Sequence, residues 1–593
     1  MEFLKFNFRR DVLLHFSAVL LALFVFYSVI FVVNLLKIQF YVGYEKNIID
    51  ITVFSVQVDR ILWIFSMILF SGVTVIQKLR NTSKGFKVIF NRDMLVLSLF
   101  YGMLMLLAIE LASFGCWVYN LFFPSFPFSG EIWHFALTEM QLTNVCYPVL
   151  LVLLMVFAYS WVGEFTVKGL LFGGEKKESV DGGGFVSFFE SSKVSLIIIV
   201  FSVVAALFIG YYNFAIAGAG NPGFSGVDVP DYTRWLSEML ETNPAGALGY
   251  ALKNDRFLYL VLQYLCFGVF GSSVEGFVTY VMPVVLMFLL MGSTFFLVKV
   301  GTRSLFHASV AMLVTVFSFQ VTVGIYAGFF ANWFALVFVY CFYGILIRGL
   351  KGKSRSPFLL ILCGVFSVAV LYTHPWTWIL LVIVILSAYI VTTLFLVYFR
   401  KKDVHDYSWE LKVLVVLLVV NLVMFYLKGL INAGSGAAVG GYVSVEKFDI
   451  SLWNAFSLKY FLDRTFRWYV GGFYAFAPAI ILGIVGVFSI LDYEDRYNRL
   501  LLSWMLIASA MLFVEFPWQA RFLYLMPFSI YVASGIIFCA KKLFKFADLK
   551  DRKRVATLIF VVFFILSVFV LVNYGVRCIA IKQYGSAGLT FIP

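Results

Sequence analysis

Two aspartates, Asp228 and Asp231, are the residues of this chain best placed to do chemistry. They lie in a polar interval, Asn221 to Phe257, although hydrophobic residues make up 62% of the sequence and charged residues only 13%. Charge near a membrane span is costly to bury and tends to mark a functional site. The pair is therefore our first candidate site.

The local pattern around these aspartates predicts a short helix. Asn221-Pro222-Gly223 indicates a turn, and Pro230 suits the first helical position, so we expect a helix from Pro230 through Leu240. Asp228 would precede its amino end, where backbone NH groups and the helix dipole favour an anion and suit a nearby phosphate.

The predicted helix is amphipathic, as expected for an element lying at a membrane interface. Its apolar face would consist of Leu236, Met239 and Leu240, with Arg234, Glu238 and Glu241 on the other sides. A second amphipathic element is predicted from Arg256 to Gly271.

Repeated apolar runs of roughly 20 residues, each long enough to cross a hydrocarbon core of about 30 Å, surround this interval. Continuous Leu, Val, Ile and Phe runs satisfy their backbone hydrogen bonds in lipid only as helices. The predicted fold class is all-α, a polytopic helical membrane protein with about 15 transmembrane helices. The spans are predicted near 11–36, 58–77, 94–119, 147–171, 194–216, 276–300, 306–323, 325–347, 357–373, 377–399, 411–430, 468–491, 499–515, 520–540 and 555–575.

The net charge of +13 comes mostly from basic residues in alternate loops, the pattern of cytoplasmic loops beside anionic lipids. This distribution favours membrane lipids as partners and argues against nucleic acid. It predicts a multi-pass plasma-membrane protein with a cytoplasmic amino terminus, and it places the Asn221 to Phe257 interval outside. Depending on the cell, this outside is the outer face of a plasma membrane or an ER-type lumen.

The domain organisation follows from the same pattern. We expect four leading helices over 1–172, a cytoplasmic Gly-rich linker over 173–193, a transmembrane core over 194–540 with outer loops 217–275 and 431–467, and a basic loop with a final helix over 541–593. The Gly-rich outer loop is either a mobile flap or plain linker. Cys116 and Cys146 lie at the outer ends of consecutive predicted spans, where they either form a disulfide or remain buried thiols.

The segment from Asp228 to Leu240 resembles the first outer loop of the GT-C superfamily of membrane glycosyltransferases, in the branch of aminoarabinose transferases and protein O-mannosyltransferases. Asp228, Tyr232 and Glu238-Met239-Leu240 match the spacing of that loop. The segment that begins at Asn254-Asp-Arg is similar to the family's second juxtamembrane helix. Trp504 and Arg521-Phe-Leu-Tyr-Leu-Met-Pro527 resemble its late span. The resemblance covers roughly 194–540 and implies a GT-C-like core with amphipathic juxtamembrane helices in its first outer loop.

The chain departs from the family pattern at acidic positions. The family's Glu after the catalytic Asp is Val229 here, and the outer turn that often carries another acid offers Gln320 and Asn332. A hard divalent cation prefers several charged oxygen ligands, so the missing acids argue against a carboxylate-bound metal. No cofactor is assigned, and a divalent cation, Mg²⁺ or Mn²⁺, is left as an alternative.

The resemblance implies transfer of a sugar from a polyprenyl-phosphate donor to a lipid, glycan or protein acceptor. It makes Asp228 the first candidate for the general base, with Asp231 second, and calls for cations that stabilise the leaving phosphate. The predicted substrate-binding residues are Tyr232, Arg234, His374, Lys459, Arg464, Arg467, Arg521 and Tyr524.

Each candidate has a plainer interpretation. Either aspartate can simply start a helix, Arg521 can snorkel from its span, His374 can lie in a belt of interfacial aromatics, and Tyr232 can merely pack. Two other function classes also remain: a polytopic transporter or lipid flippase, and a non-catalytic membrane partner of another enzyme.

Overall fold

The computed structural model describes residues 18–23, 25, 40–41, 48–49, 92–122, 192–217, 228–271, 273–352, 356–399, 404–432, 473–511, 524–547 and 553–584. The chain divides into two compact units. The first comprises Met1–Val180, Gly472–Ile481 and Ile536–Tyr574; the second comprises Asp181–Gly471, Leu482–Gly535 and Gly575–Pro593.

The described residues are almost entirely helical. The helices are α1 (Arg92–Phe122), α2 (Ser192–Ala217), α3 (Val229–Leu240), α4 (Pro244–Leu252), α5 (Phe257–Phe270), α6 (Val274–Thr302), α7 (Leu305–Val316), α8 (Phe319–Ala327), α9 (Phe330–Lys351), α10 (Pro357–Thr373), α11 (Pro375–Trp378, Ile379–Val384 and Ile385–Phe399), α12 (Val404–Asn432), α13 (Phe473–Ser489), α14 (Arg496–Met511), α15 (Phe528–Ala547) and α16 (Lys553–Tyr584). Helices α6 and α11 contain π-helical turns at Phe277–Val281 and Ile379–Val384. The two-residue strands β1 (Phe40–Tyr41) and β2 (Ile48–Ile49) pair antiparallel, with Phe40 opposite Ile49.

Seven stretches of the described helices are long and apolar enough to cross a membrane. They are Ser192–Phe214, Val274–Thr302, Leu305–Ile325, Phe330–Lys351, Pro375–Tyr398, Tyr407–Leu430 and Ala556–Val576. Shorter apolar helices occur at Val96–Ala108, Phe257–Phe270, Pro357–Thr373 and Pro478–Ser489. The predicted fold class is thus confirmed as a helical integral membrane protein, while the count of about 15 spans stays a prediction.

Helix boundaries differ from the predicted spans mainly where the chain breaks. The predicted boundary between 306–323 and 325–347 is replaced by a bend at Phe317–Ser318 and a tight turn after Ala327. The Ser318 hydroxyl donates to the Thr315 carbonyl at 2.8 Å, which gives that carbonyl a partner at the bend. Gly328 then ends α8 with φ +72°. The predicted spans 11–36, 58–77 and 147–171 lie largely or wholly outside the described residues.

Within the second unit, helices α6 to α12 and α14 form the packed core beside the candidate site. Helix α6 packs along α7 and α9, α9 packs on α10, and α11 packs against α12 and α14. Close approach is visible where α13 meets α15, because a Cβ on Gly486 or Gly535 would collide with the backbone carbonyls of Tyr531 and Leu482. The juxtamembrane helices α3, α4 and α5 pack on one another, and α5 also packs on α10.

Candidate functional site

Helix α3 places Asp228 where the sequence predicts it. The helix begins at Val229, with Asp228 as its N-cap residue and Pro230 in its first turn, and it ends at Leu240 as expected. Its buried face consists of Val229, Tyr232, Leu236 and Met239. The predicted apolar face was wrong only at Leu240, the last residue of the helix, which is 38% exposed.

The Asp228 carboxylate faces a cation that sequence reasoning did not select. Asp228 Oδ2 lies 3.8 Å from the Arg256 guanidinium, and the two side chains are 23% and 21% exposed. Arg256 precedes α5, and its backbone NH donates to Asn254 Oδ1 at 2.9 Å. Both side chains are thus largely buried but still accessible to a ligand. The 3.8 Å that separates their charged groups is longer than a hydrogen bond.

Tyr232 contacts the Arg256 guanidinium through both its hydroxyl and its ring. Its hydroxyl accepts a hydrogen bond from Arg256 Nη1 at 2.8 Å and another from the backbone NH of Ala331 at 3.2 Å. The Arg256 guanidinium also lies 5.2 Å from the ring centroids of both Tyr232 and Trp235, within cation–π range. Tyr232 therefore positions Arg256 and ties α3 to the start of α9.

Asp231 and Arg234 occupy the exposed side of the same helix. Asp231 Oδ1 accepts a hydrogen bond from Arg234 Nη2 at 2.9 Å, with side chains 51% and 62% exposed. Glu238 lies one turn further on, and Arg234 Nε is 4.0 Å from it. Burial and the Glu238 carboxylate raise the pKa of Tyr250 on α4 to about 12. This surface network joins α3 to α4 and lies apart from the pair at Asp228.

His374 lies in the break between α10 and α11, as expected, but its described contacts are those of a cap. It is 5% exposed, and its Nδ1 accepts the backbone NH of Thr377 at 3.2 Å. The Thr377 hydroxyl lies 3.0 Å from both His374 Nδ1 and Asn332 Oδ1. Because Asn332 follows Ala331 in α9, His374 supports the helix start that also holds Tyr232.

Tyr524, which precedes α15, contacts α8 and the turn between α8 and α9. Its hydroxyl donates to the Gln320 carbonyl at 3.1 Å, and its ring lies 5.5 Å from that of Phe329 in an edge-on arrangement. The Gln320 amide in turn donates to the Met526 carbonyl. The structure thus brings Asp228, Tyr232, His374 and Tyr524 to helix ends around the α8–α9 turn.

The remaining predicted ligands of the phosphate lie outside the described residues: Lys459, Arg464, Arg467 and Arg521. The outer loop 431–467 beyond Asn432, the linker 173–193 up to Ser191, and Cys146 with the Cys116 side chain also lie outside them. These expectations stay predictions.

Two cations near the start of α5 are absent from the predicted site residues. The sequence predicts Arg256 only as the start of an amphipathic helix, and Lys428 is not among the predicted site residues. Lys428 is 3% exposed, lies 3.9 Å from Asp255 and donates to the Leu371 carbonyl at 3.1 Å. A lysine three residues inside an apolar span of about 20 residues was the available signal.

The donor set in the described part of the chain does not fit a divalent cation. Asp228 faces a guanidinium, Asp231 is paired with Arg234, and Asn332 Oδ1 accepts a hydrogen bond from the Thr377 hydroxyl. The residues that the structure describes contain no group of three or more His, Cys, Asp or Glu side chains that could hold a metal ion. No step through a metal follows from this geometry.

No protein-family profile matches the chain, and no curated protein matches it. Among solved structures, the chain is similar to the crystal structure of ArnT from Cupriavidus metallidurans bound to undecaprenyl phosphate. The identity is 13% and the TM-score 0.41, and the match covers 66% of this chain and 77% of that one.

Proposed function

We propose that this chain is an integral-membrane glycosyltransferase. It moves a single sugar from a polyprenyl-phosphate donor to a lipid, glycan or protein acceptor on the non-cytoplasmic face. The observation that carries the proposal is the placement of Asp228 beside Arg256, 3.8 Å apart at the amino end of α3. A base and a phosphate-binding cation are the two groups that this transfer needs within one site.

Asp228 acts as the general base. As the acceptor oxygen attacks the anomeric carbon, its proton passes to the Asp228 carboxylate, and a new carbon–oxygen bond forms. The bond from the anomeric carbon to the phosphate oxygen breaks, and the polyprenyl phosphate leaves with the electron pair. The carboxylate is 23% exposed, which leaves it accessible to an acceptor hydroxyl.

Arg256 stabilises the charge that develops on the leaving phosphate. Its guanidinium is held in advance by the Tyr232 hydroxyl and by the rings of Tyr232 and Trp235, so it reorganises little during the reaction. A planar guanidinium can donate two parallel hydrogen bonds to a phosphate. Arg521, His374, Lys459, Arg464 and Arg467 remain proposed additional contacts of the donor, and Arg234 and Tyr524 remain proposed substrate-binding residues.

The proposed orientation has the amino terminus in the cytoplasm and the α3–α5 side outside, in the plasma membrane. A lipid-linked donor suits this side because nucleotide sugars are cytoplasmic, whereas lipid-linked donors can be flipped across the membrane. This orientation rests on the distribution of Lys and Arg among the loops.

Asp228→Asn tests the proposal. Cells lacking the native gene would express the wild-type chain, Asp228→Asn or a control, Glu241→Gln, which changes an exposed acid at the other end of α3. Sugar-modified lipids, glycans and proteins are then compared by mass spectrometry. Because general base catalysis contributes about 10²–10⁴-fold, we expect one class of modified product to disappear with Asp228→Asn alone.

Equal membrane insertion of the three proteins is verified by immunoblotting and detergent extraction. Unchanged products with Asp228→Asn would overturn the transferase proposal and favour a non-catalytic partner. Loss of transport of an intact lipid, with no modified product in any strain, would instead favour a flippase.

A further inference from the structure

The turn between α8 and α9 lies directly against the start of α3. Gly328 in this turn has φ +72°, where a residue with a Cβ is strained. A Cβ at Gly328 would lie 3.0 Å from Val229 Cγ2, 3.2 Å from Val229 N and 3.3 Å from Asp228 N. The backbone conformation therefore favours glycine, and a Cβ here would fit only if the start of α3 moved by a few tenths of an ångström.

Two hydrogen bonds join the same two segments. The Asp228 backbone NH donates to the Ala327 carbonyl at 3.3 Å, and the Ala331 NH donates to the Tyr232 hydroxyl at 3.2 Å. The Tyr232 and Phe330 rings stack with centroids 5.6 Å apart. The start of α3 thus rests on the turn through backbone and ring contacts on both sides of Gly328.

The far side of the turn is also supported. The Tyr524 ring packs against Phe329, and its hydroxyl is bonded to the Gln320 carbonyl in the first turn of α8. A Cβ at Gly324 would lie 2.6 Å from the Trp333 ring and 3.2 Å from the Tyr524 hydroxyl. Displacement of the turn away from α3 is therefore opposed by buried aromatic side chains.

We propose that the Gly328 turn positions Asp228 for catalysis. Gly328 itself touches none of the reacting atoms; it lets the α8–α9 turn approach close enough to fix the backbone of Asp228. The inference rests on the proposed function of Asp228 as base. A catalytic group misplaced by about 1 Å can lose on the order of 100-fold in rate, so a methyl group at this contact should be costly.

Gly328→Ala is the central variant, with Gly249→Ala on α4 as its control. A Cβ at Gly249 would meet nothing within 4 Å, and α4 belongs to the same juxtamembrane group. We expect Gly328→Ala to lower product formation about 10- to 100-fold and Gly249→Ala to leave it within about twofold. Gly328→Asn tolerates positive φ yet keeps the crowding Cβ, so it should fold more readily and still lose product.

Coupling to Asp228 distinguishes positioning from a general structural defect. In the Asp228→Asn background, Gly328→Ala should cause little further loss, because the base that the turn positions is already absent. Losses that multiply in the double variant, with both single variants equally well inserted, would overturn the positioning role.

Amide hydrogen exchange of the purified full-length protein tests the contact without any assay of activity. Gly328→Ala should accelerate exchange at Asp228 more than tenfold relative to Gly249→Ala, since the Asp228 NH loses the Ala327 carbonyl as its acceptor. Unchanged exchange would overturn the inference. Accelerated exchange together with full product in Asp228→Asn would show that the contact exists while the proposed base, and with it the catalytic role of Gly328, fails.

Discussion

Two charged clusters in the second unit differ in the exposure of their side chains and in how closely their charges are paired. At the α3–α5 junction, Asp228 and Arg256 are 3.8 Å apart and more than a fifth of each side chain is exposed. At the other cluster, Glu410 and Arg499 are 1% exposed and directly paired. Arg496 Nε donates to the same carboxylate at 2.8 Å, as does the Tyr389 hydroxyl.

The difference indicates which cluster is available to a ligand. The Glu410 carboxylate is surrounded by protein donors, so its removal would leave a buried cation without its anion. Asp228 and Arg256, by contrast, are each more than a fifth exposed, so a phosphate can reach the guanidinium from solvent. We therefore expect substitutions in the Glu410 cluster to affect stability and those in the Asp228–Arg256 cluster to affect activity.

Glu410→Gln should give the largest loss of stability. Removing one partner of a buried ion pair costs about 3–5 kcal/mol, because Arg499 would remain buried without a counterion. Thermal unfolding in detergent measures the effect, and Glu494→Gln, which changes an exposed acid near α14, is the control. A loss no greater than that of the control would contradict the structural role of this cluster.

Arg256→Gln should instead weaken binding of a lipid phosphate. A hydrogen bond to a charged group contributes about 1.5–3 kcal/mol, so we expect roughly a 10- to 100-fold loss of affinity for undecaprenyl phosphate. Arg256→Lys should fall between, because an ammonium cannot form the same paired hydrogen bonds. Native mass spectrometry with added undecaprenyl phosphate provides the measurement.

The matched control for this variant is Lys253→Gln, which removes an exposed cation just after α4. An equal loss of affinity with Lys253→Gln would mean that total surface charge, and not Arg256, attracts the lipid.

Tyr232→Phe should have a smaller effect on the same binding. It removes the hydroxyl that receives the Arg256 and Ala331 hydrogen bonds and keeps the buried ring. At about 1.5 kcal/mol, the low end for a hydrogen bond that involves a charged group, a loss of up to about 12-fold follows. Tyr264→Phe on α5 is the control, and a loss of stability without any loss of affinity would assign Tyr232 to packing alone.

The local elements of the site were predictable because their signals are close in sequence. Pro230 and the polar residues around it correctly indicated the start of α3. The element predicted from Arg256 to Gly271 is a helix, α5, but it is apolar and not amphipathic. The aspartate at the start of α3 was likewise visible. Such signals depend only on helix geometry and capping preferences.

The partners of Asp228 were not predictable because they depend on tertiary contacts. Arg256 reaches Tyr232 across 24 residues, and Ala331 reaches it across 99. The positive φ of Gly328 likewise arises where α8 ends and α9 begins, within an apolar run that sequence analysis divided at another point. Hydrophobic periodicity reports which residues are buried and does not report which helix ends meet.

Asp231→Asn should produce the smallest effect and sharpens the contrast within α3. Asp231 is 51% exposed and paired with Arg234 at 2.9 Å, an arrangement that typically contributes about 0.2–1 kcal/mol and weakens in salt. We expect product formation to change less than about twofold, against the loss expected for Asp228→Asn, three residues away. Parallel assays at low and high salt provide the measurement. A loss comparable to that of Asp228→Asn would instead give both carboxylates a part in catalysis, and would mean that substrate binding separates Asp231 from Arg234.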